Sequence, residues 1–314
     1  MLRDYDIGAL ASKEDLNGLV SEYLSNYLNE VMGGTDMKSA RFIYLFKRLS
    51  QSLAVLIRQL GDEFAKSLFV PQSFELKIDG EEIKPLQIPL SDGTHISVGG
   101  KIDRVDIYTK DGVKYIRVVD YKTGSKEFVL SDILSGLNMQ MLIYLDIICD
   151  KELSGRDYSP AGVLYSPASM KKISGERGKT SVEEERKEML KNNGLIVDDS
   201  DVINAMEIGM EKKVDKNRNA NVKGGETFRS SATYVADTEQ FGAISRYIRS
   251  LLREMGEALH RGDIEALPVK GTYDACEYCD YRIMCSQERK CSGINISKKS
   301  MSETLAVMQE ENDG

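Results

Sequence analysis

The sequence predicts an α/β protein, one core of strands and helices with helical additions before and after it. Three observations predict it. Two β-rich stretches with period-two alternation lie between residues 100 and 122, apolar residues at helical spacing precede them, and a long amphipathic run lies at Thr238 to His260. At 314 residues, 41% hydrophobic and 29% charged, the chain can bury one sizeable core. It holds no apolar run of membrane-spanning length, and Met1-Leu-Arg-Asp-Tyr5 begins no secretory signal. The expected setting is therefore cytoplasmic, where thiols stay reduced, with no membrane partner.

In chain order, residues 1–68 form a helical lead-in, with helical spacing in Ala40-Arg-Phe-Ile-Tyr-Leu-Phe-Lys-Arg-Leu49 and Leu53-Ala-Val-Leu-Ile-Arg-Gln-Leu60. Residues 69–166 carry the strands and one motif helix. Residues 167–236 turn polar, with Lys171-Lys-Ile-Ser-Gly-Glu-Arg-Gly-Lys179 and Lys212-Lys-Val-Asp-Lys-Asn-Arg-Asn-Ala-Asn-Val-Lys-Gly-Gly225 expected as mobile solvated loops, contact with DNA phosphates being the lesser alternative. Residues 237–314 hold the long helix, a cysteine segment and a polar tail.

The chemistry concentrates in Gly99-Gly-Lys-Ile-Asp103-Arg-Val-Asp106 and Val118-Val-Asp120-Tyr-Lys122-Thr-Gly124. Side chains alternate along a strand, so Asp120 and Lys122 point the same way while Tyr121 points back into the protein. A hairpin about Asp111-Gly112 would bring Asp103 to the same spot. Two carboxylates make an oxygen-rich nest for Mg²⁺ or Mn²⁺. The chemistry that needs this set is phosphodiester hydrolysis, with the lysine orienting water or neutralising charge on the phosphate. Ile116, Val118 and Val119 lead straight into Asp120, and a charged pair at the end of an apolar strand is poorly explained as surface decoration. From Leu130 to Ile148 the sequence predicts one helix with Ser131 as its N-cap. Gln140 and Tyr144 share a face of it and can line the same cleft.

Gly100-Lys-Ile-Asp103-Arg-Val-Asp106, Val119-Asp120-Tyr-Lys122-Thr-Gly124 and Gln140-x-x-x-Tyr144 resemble the signature motifs of PD-(D/E)XK nucleases of the RecB type. The wording is closest to the C-terminal nuclease region of the AddB/RexB kind. Phe69-Val-Pro-Gln-Ser-Phe-Glu75 resembles that family's first core strand and Pro160-Ala-Gly-Val-Leu-Tyr165 a later one, so the resemblance spans residues 40–290. It implies a restriction-endonuclease-like core, a mixed central sheet flanked by helices. It implies Asp103 and Asp120 as metal ligands joined by the main-chain carbonyl of Tyr121, Lys122 as the catalytic lysine, and Gln140 and Tyr144 as accessory residues near DNA. Glu75 is a further candidate, weakened because a glutamate in an alternating strand is ordinarily solvated. The implied activity is a Mg²⁺-dependent deoxyribonuclease, exonuclease rather than endonuclease, serving recombinational DNA repair beside a helicase–nuclease partner subunit. The alternative is a DNA-clamping scaffold that keeps the fold without catalysis.

Cys276-Glu-Tyr-Cys279-Asp-Tyr-Arg-Ile-Met-Cys285 has spacing suited to a thiolate-bound metal or iron–sulfur cluster. The resemblance implies that this triplet shares a [4Fe–4S] cluster with a cysteine upstream of the core, yet residues 1–148 contain none. Cys149 closes an apolar helix and reads as packing, which leaves Cys291 as the available substitute and an incomplete cluster as the expectation. RecB-type sites also draw a metal ligand from a histidine on an upstream helix, and neither His95 nor His260 fits. A chain that begins inside a longer protein, as a C-terminal fragment or a truncated gene, accounts for both departures, and no GxxxxGK[ST] loop occurs. The net charge of −8 calls for local basic patches, a partner that carries the grip on DNA, or weak binding by this piece alone.

Overall fold

The computed structural model describes residues 7–34, 38–123, 127–168, 182–214, 220–271, 274–285 and 293–313. The strands are β1 (Val70–Ile78), β2 (Leu86–Pro89), β3 (His95–Val98), β4 (Gly100–Lys110), β5 (Val113–Lys122), β6 (Ser159–Pro167), β7 (Asn192–Val197), β8 (Glu211–Val214), β9 (Ala220–Lys223), β10 (Phe228–Ala236), β11 (Val269–Gly271) and β12 (Ile294–Ile296). The helices are α1 (Ile7–Ala11), α2 (Leu16–Met32), α3 (Ala40–Ala65), α4 (Gln140–Cys149), α5 (Lys151–Ser154), α6 (Val182–Met189), α7 (Ser200–Met206), α8 (Thr238–His260) and α9 (Met301–Asp313).

The described residues build an eight-stranded sheet in the order β1-β4-β5-β6-β7-β10-β9-β8. Its ladders are mixed: β5 runs parallel to β6 and β7 to β10, and the other neighbours are antiparallel. This is the mixed sheet with flanking helices expected of a restriction-endonuclease-like core. The central strands are buried on both faces, as Val118, Val119, Val163, Leu164, Leu195 and Ile196 show at 0% exposure, which explains their continuous apolar runs.

Helices brace this sheet. Helix α4 packs on β5 and β6. Helix α8, started by a capping box in which Asp237 and Gln240 exchange hydrogen bonds, lies across α4, where Arg249 Nε donates to Asp146 at 2.8 Å. A smaller apolar cluster of Leu10, Leu16, Val20, Ala54 and Ile57 ties α1, α2 and α3 together.

Two expectations are corrected. Residues 167–236 are not simply a polar insertion, because β7, β9, β10 and β8 supply half of the sheet. The Lys212–Val214 part of the expected loop is an edge strand paired with Ala220–Lys223, its lysines exposed as an edge requires, while Lys171–Lys179 lie outside the described residues. The helix expected from Leu130 is also broken. Leu130–Ser135 forms a 3₁₀ turn, then Gly136 (φ 73°) and Asn138 (φ 58°) take left-handed backbone, so α4 begins only at Gln140. Ser131 is no N-cap: its hydroxyl is buried without a hydrogen bond.

Candidate active site

Strands β4 and β5 form a hairpin whose turn residues, Asp111 (φ 50°) and Gly112 (φ 81°), both take positive φ, the geometry that matches strand twist. The register pairs Val105 with Val118. Two residues further along each strand, Asp103 and Asp120 therefore share one face of the sheet. The Asp103 carboxylate reaches across and accepts a hydrogen bond from the Tyr121 backbone N–H at 2.9 Å, so it sits at the peptide joining Asp120 to Tyr121. On the same face Lys122 Nζ stands 2.5 Å from Asp120 Oδ2 and 5.0 Å from the centre of the Tyr165 ring. Their side chains are 23% and 15% exposed, so the pair is shielded yet open to a ligand.

Lys122 also lines a cavity of about 340 Å³ with Asn138, Gln140, Ile143, Tyr144 and Tyr165. The broken helix start places Gln140 on the first turn of α4, where its Nε2 donates to the Tyr144 hydroxyl oxygen at 3.1 Å. The glycine of the first motif has a steric cause, since a Cβ on Gly100 would lie 2.2 Å from the Tyr144 hydroxyl. Gln140, Tyr144 and Lys122 thus face one space. Tyr165 belongs to it as well, a residue that its place in an apolar strand gave no reason to single out.

The opposite face of β4 and β5 holds what the sequence reading missed. Arg104 and Arg117 are fully buried there with Asp106 and Glu63, two positive and two negative groups. Glu63 Oε1 accepts from Arg104 Nη2 at 2.7 Å and from Arg117 Nη2 at 3.0 Å. Asp106 takes Arg117 Nε at 2.7 Å and pairs with Arg104 Nε at 3.1 Å. Arg104 Nη1 donates to the Tyr121 hydroxyl oxygen at 2.8 Å. Burial alone would raise the Glu63 carboxyl, but Arg104 and Arg117 outweigh it and hold it below its ordinary value. Burial pushes the Tyr121 hydroxyl up to about 12, so it serves Arg104 as a neutral acceptor. Alternation was the available signal: Arg104 and Asp106 sit two apart on β4, and Arg117 pairs with Asp106 in register.

Asp120 Oδ2 is buried and, despite its ion-pair contact with Lys122, makes no aligned hydrogen bond. A carboxylate oxygen left so, on one face with a second carboxylate, fits a divalent cation that takes one or two carboxylates and keeps several waters. Among the described residues no group of three or more histidine, cysteine, aspartate or glutamate side chains is gathered to hold a metal. Glu75 does not complete one. The pairs Phe74↔Arg104 and Leu76↔Ile102 bring it alongside Asp103 in register, but its backbone takes a positive φ of 52° and its carboxylate meets Lys101 Nζ at 3.1 Å. It lines a separate groove along β1.

Cys276, Cys279 and Cys285 lie in the segment that joins the paired strands β11 and β12. Cys279 and Cys285 are exposed, Cys276 is partly buried, and Cys291 lies outside the described residues. Burial pushes the Cys149 thiol up to about 12, which suits packing rather than ligation. His260 pairs with Asp92 at 2.7 Å, and His95 lies on β3. No helix among the described residues is long and apolar enough to cross a membrane.

The family model of the PD-(D/E)XK nuclease superfamily matches residues 5–286. The chain is 32% identical over 289 residues to the ATP-dependent helicase/deoxyribonuclease B subunit of Clostridium kluyveri, covering 90% of this chain and 24% of that protein. It is 34% identical over 292 residues to the protein of the same name in Clostridium acetobutylicum, covering 90% and 25%. For the Thermoanaerobacter sp. protein of that name the identity is 31% over 317 residues, covering 95% and 26%. The chain thus spans about a quarter of the length of these relatives. With the family model matching most of its length, on a mixed sheet that sets Asp103, Asp120 and Lys122 on one face, the chain belongs to the PD-(D/E)XK nuclease superfamily.

Proposed function

We propose that this cleft hydrolyses phosphodiester bonds of DNA, as the exonuclease module of a helicase–nuclease complex in recombinational repair. The observation that carries the reading is the shared face of Asp103 and Asp120 with Lys122 at 2.5 Å from Asp120 and turned toward the cavity of Gln140 and Tyr144. Asp103, Asp120 and the Tyr121 carbonyl would hold Mg²⁺ or Mn²⁺. When bound, the cation polarises a phosphoryl oxygen and makes a water more acidic. Lys122 orients the attacking water or neutralises charge on the phosphate as the bond breaks, and Gln140 and Tyr144 hold the strand at the cavity mouth.

The net charge of −8 is answered locally. From Lys38 to Gly61 the chain carries five basic residues and no acid, and Arg41, Lys47, Arg48 and Arg58 are exposed along α3. Such a stripe suits the phosphate backbone. A partner is supported by the relatives' name, which describes each of them as one subunit of a helicase/deoxyribonuclease. The proposed chemistry uses no iron–sulfur cluster.

The test is cleavage of single-stranded and duplex DNA with Mg²⁺, comparing the protein with Asp120→Ala. Metal-dependent cleavage lost in the variant is expected. Cleavage unchanged by Asp120→Ala overturns the site, and absence of cleavage by the unaltered protein favours the scaffold reading.

A further inference from the structure

Asp103 and Arg104 are neighbours in sequence, as are Asp120 and Tyr121, and alternation sends each pair to opposite faces of the hairpin. On the back face the second members meet, with Arg104 Nη1 donating to the Tyr121 hydroxyl at 2.8 Å and the guanidinium 5.5 Å from the ring centre. On the front face the Tyr121 N–H holds the Asp103 carboxylate at 2.9 Å. Tyr121 is therefore one residue with two duties. Its backbone N–H orients one carboxylate, while its side chain is gripped from behind.

The grip is rigid. Arg104 has no exposed surface, its Nη2 donates to Glu63 Oε1 at 2.7 Å, and its Nε makes a charge contact with Asp106 at 3.1 Å without an aligned hydrogen bond. The Phe64 ring, 4.9 Å from the guanidinium, closes another side. A guanidinium so enclosed is held by its packing, and drift of the Asp120–Tyr121 peptide strains its hydrogen bond to Tyr121. We propose that Arg104, acting through Tyr121, is a positioning residue that sets Asp103 and the Tyr121 carbonyl for the divalent cation. The inference rests on the metal-dependent reading above and deepens it.

Partners that orient metal ligands typically contribute about 10–100-fold in affinity. Tyr121→Phe removes the hydroxyl and keeps the ring. By calorimetry with Mn²⁺ it should bind about tenfold more weakly. Amide exchange of the segment around residue 121 in the metal-free protein should also quicken. Arg104→Lys keeps the charge but cannot hold Glu63, Asp106 and Tyr121 together, so Mn²⁺ affinity should fall in the same direction. Leu195→Ala opens a cavity in the buried core of β7, two strands from β5, and leaves the Arg104 cluster intact. It should lower the melting temperature and leave Mn²⁺ affinity unchanged. Unshifted Mn²⁺ affinity in folded Tyr121→Phe overturns the inference alone, as does an equal loss in Leu195→Ala, which would mark a general effect of lost stability. An unaltered protein that binds no Mn²⁺ overturns the metal-dependent reading and this inference with it.

Discussion

Replacing Lys122 by alanine should separate rate from metal binding at the proposed site. The ammonium stands 2.5 Å from Asp120 Oδ2. At an effective dielectric near 20, two unit charges so placed attract by about 7 kcal/mol before desolvation offsets most of it. The lysine therefore competes with a cation for Asp120 rather than helping to hold it, and Lys122→Ala should bind Mn²⁺ as tightly as the unaltered protein or more tightly. The rate should move the other way. Loss of a group acting on the water or the developing phosphate charge lowers turnover by ~10²–10⁴-fold. At 1.36 kcal/mol per decade that is about 2.7–5.4 kcal/mol of transition-state stabilisation. Single-turnover cleavage of end-labelled DNA at saturating Mg²⁺, beside Mn²⁺ calorimetry, reads both quantities. Turnover within about threefold of the unaltered protein would remove Lys122 from the chemistry, and lost Mn²⁺ binding would refute the competition argument.

Glu63→Gln should destabilise the fold by about 3–5 kcal/mol at neutral pH, since it leaves two buried guanidinium groups with one carboxylate. The folded Glu63 carboxyl lies below its ordinary value of 4.5, so its contribution is present above that value and lost as pH falls through the folded one. Urea unfolding should show the gap between variant and parent closing in acid, and a pH-independent gap would contradict this. Changing Arg41, Lys47 and Arg48 together to glutamine should weaken DNA binding and flatten its dependence on salt by about three counterions, with turnover at saturating DNA unchanged. An unaltered salt slope would place the DNA elsewhere. Anaerobically purified protein should lack a complete iron–sulfur cluster, because only Cys276, Cys279 and Cys285 match the spacing. Four irons and matching acid-labile sulfide per chain would refute this and direct serine substitutions to Cys291 and Cys149.

The hairpin geometry was legible from the sequence alone because strand alternation is local. Once Asp111-Gly112 turns the chain, the side of every residue from Asp103 to Lys122 follows, and with it the shared face of the two aspartates. The long helix was equally legible, since Asp237 and Gln240 mark its start within four residues. What failed were the features that distant partners decide. Residues 192–236 look polar, yet β7 and β10 are paired in the sheet and close its core, because burial belongs to the face a strand presents and not to its composition. At the break before α4, Gly136 takes left-handed backbone (φ 73°) with the Met255 side chain of α8 set against it. The buried charges needed tertiary structure most of all. Glu63 stands 41 residues before Arg104 and 54 before Arg117. A charged side chain reads as solvated until the fold buries it against an opposite charge; Asp106 supplies one within the hairpin, and Glu63 at the end of α3 supplies the second.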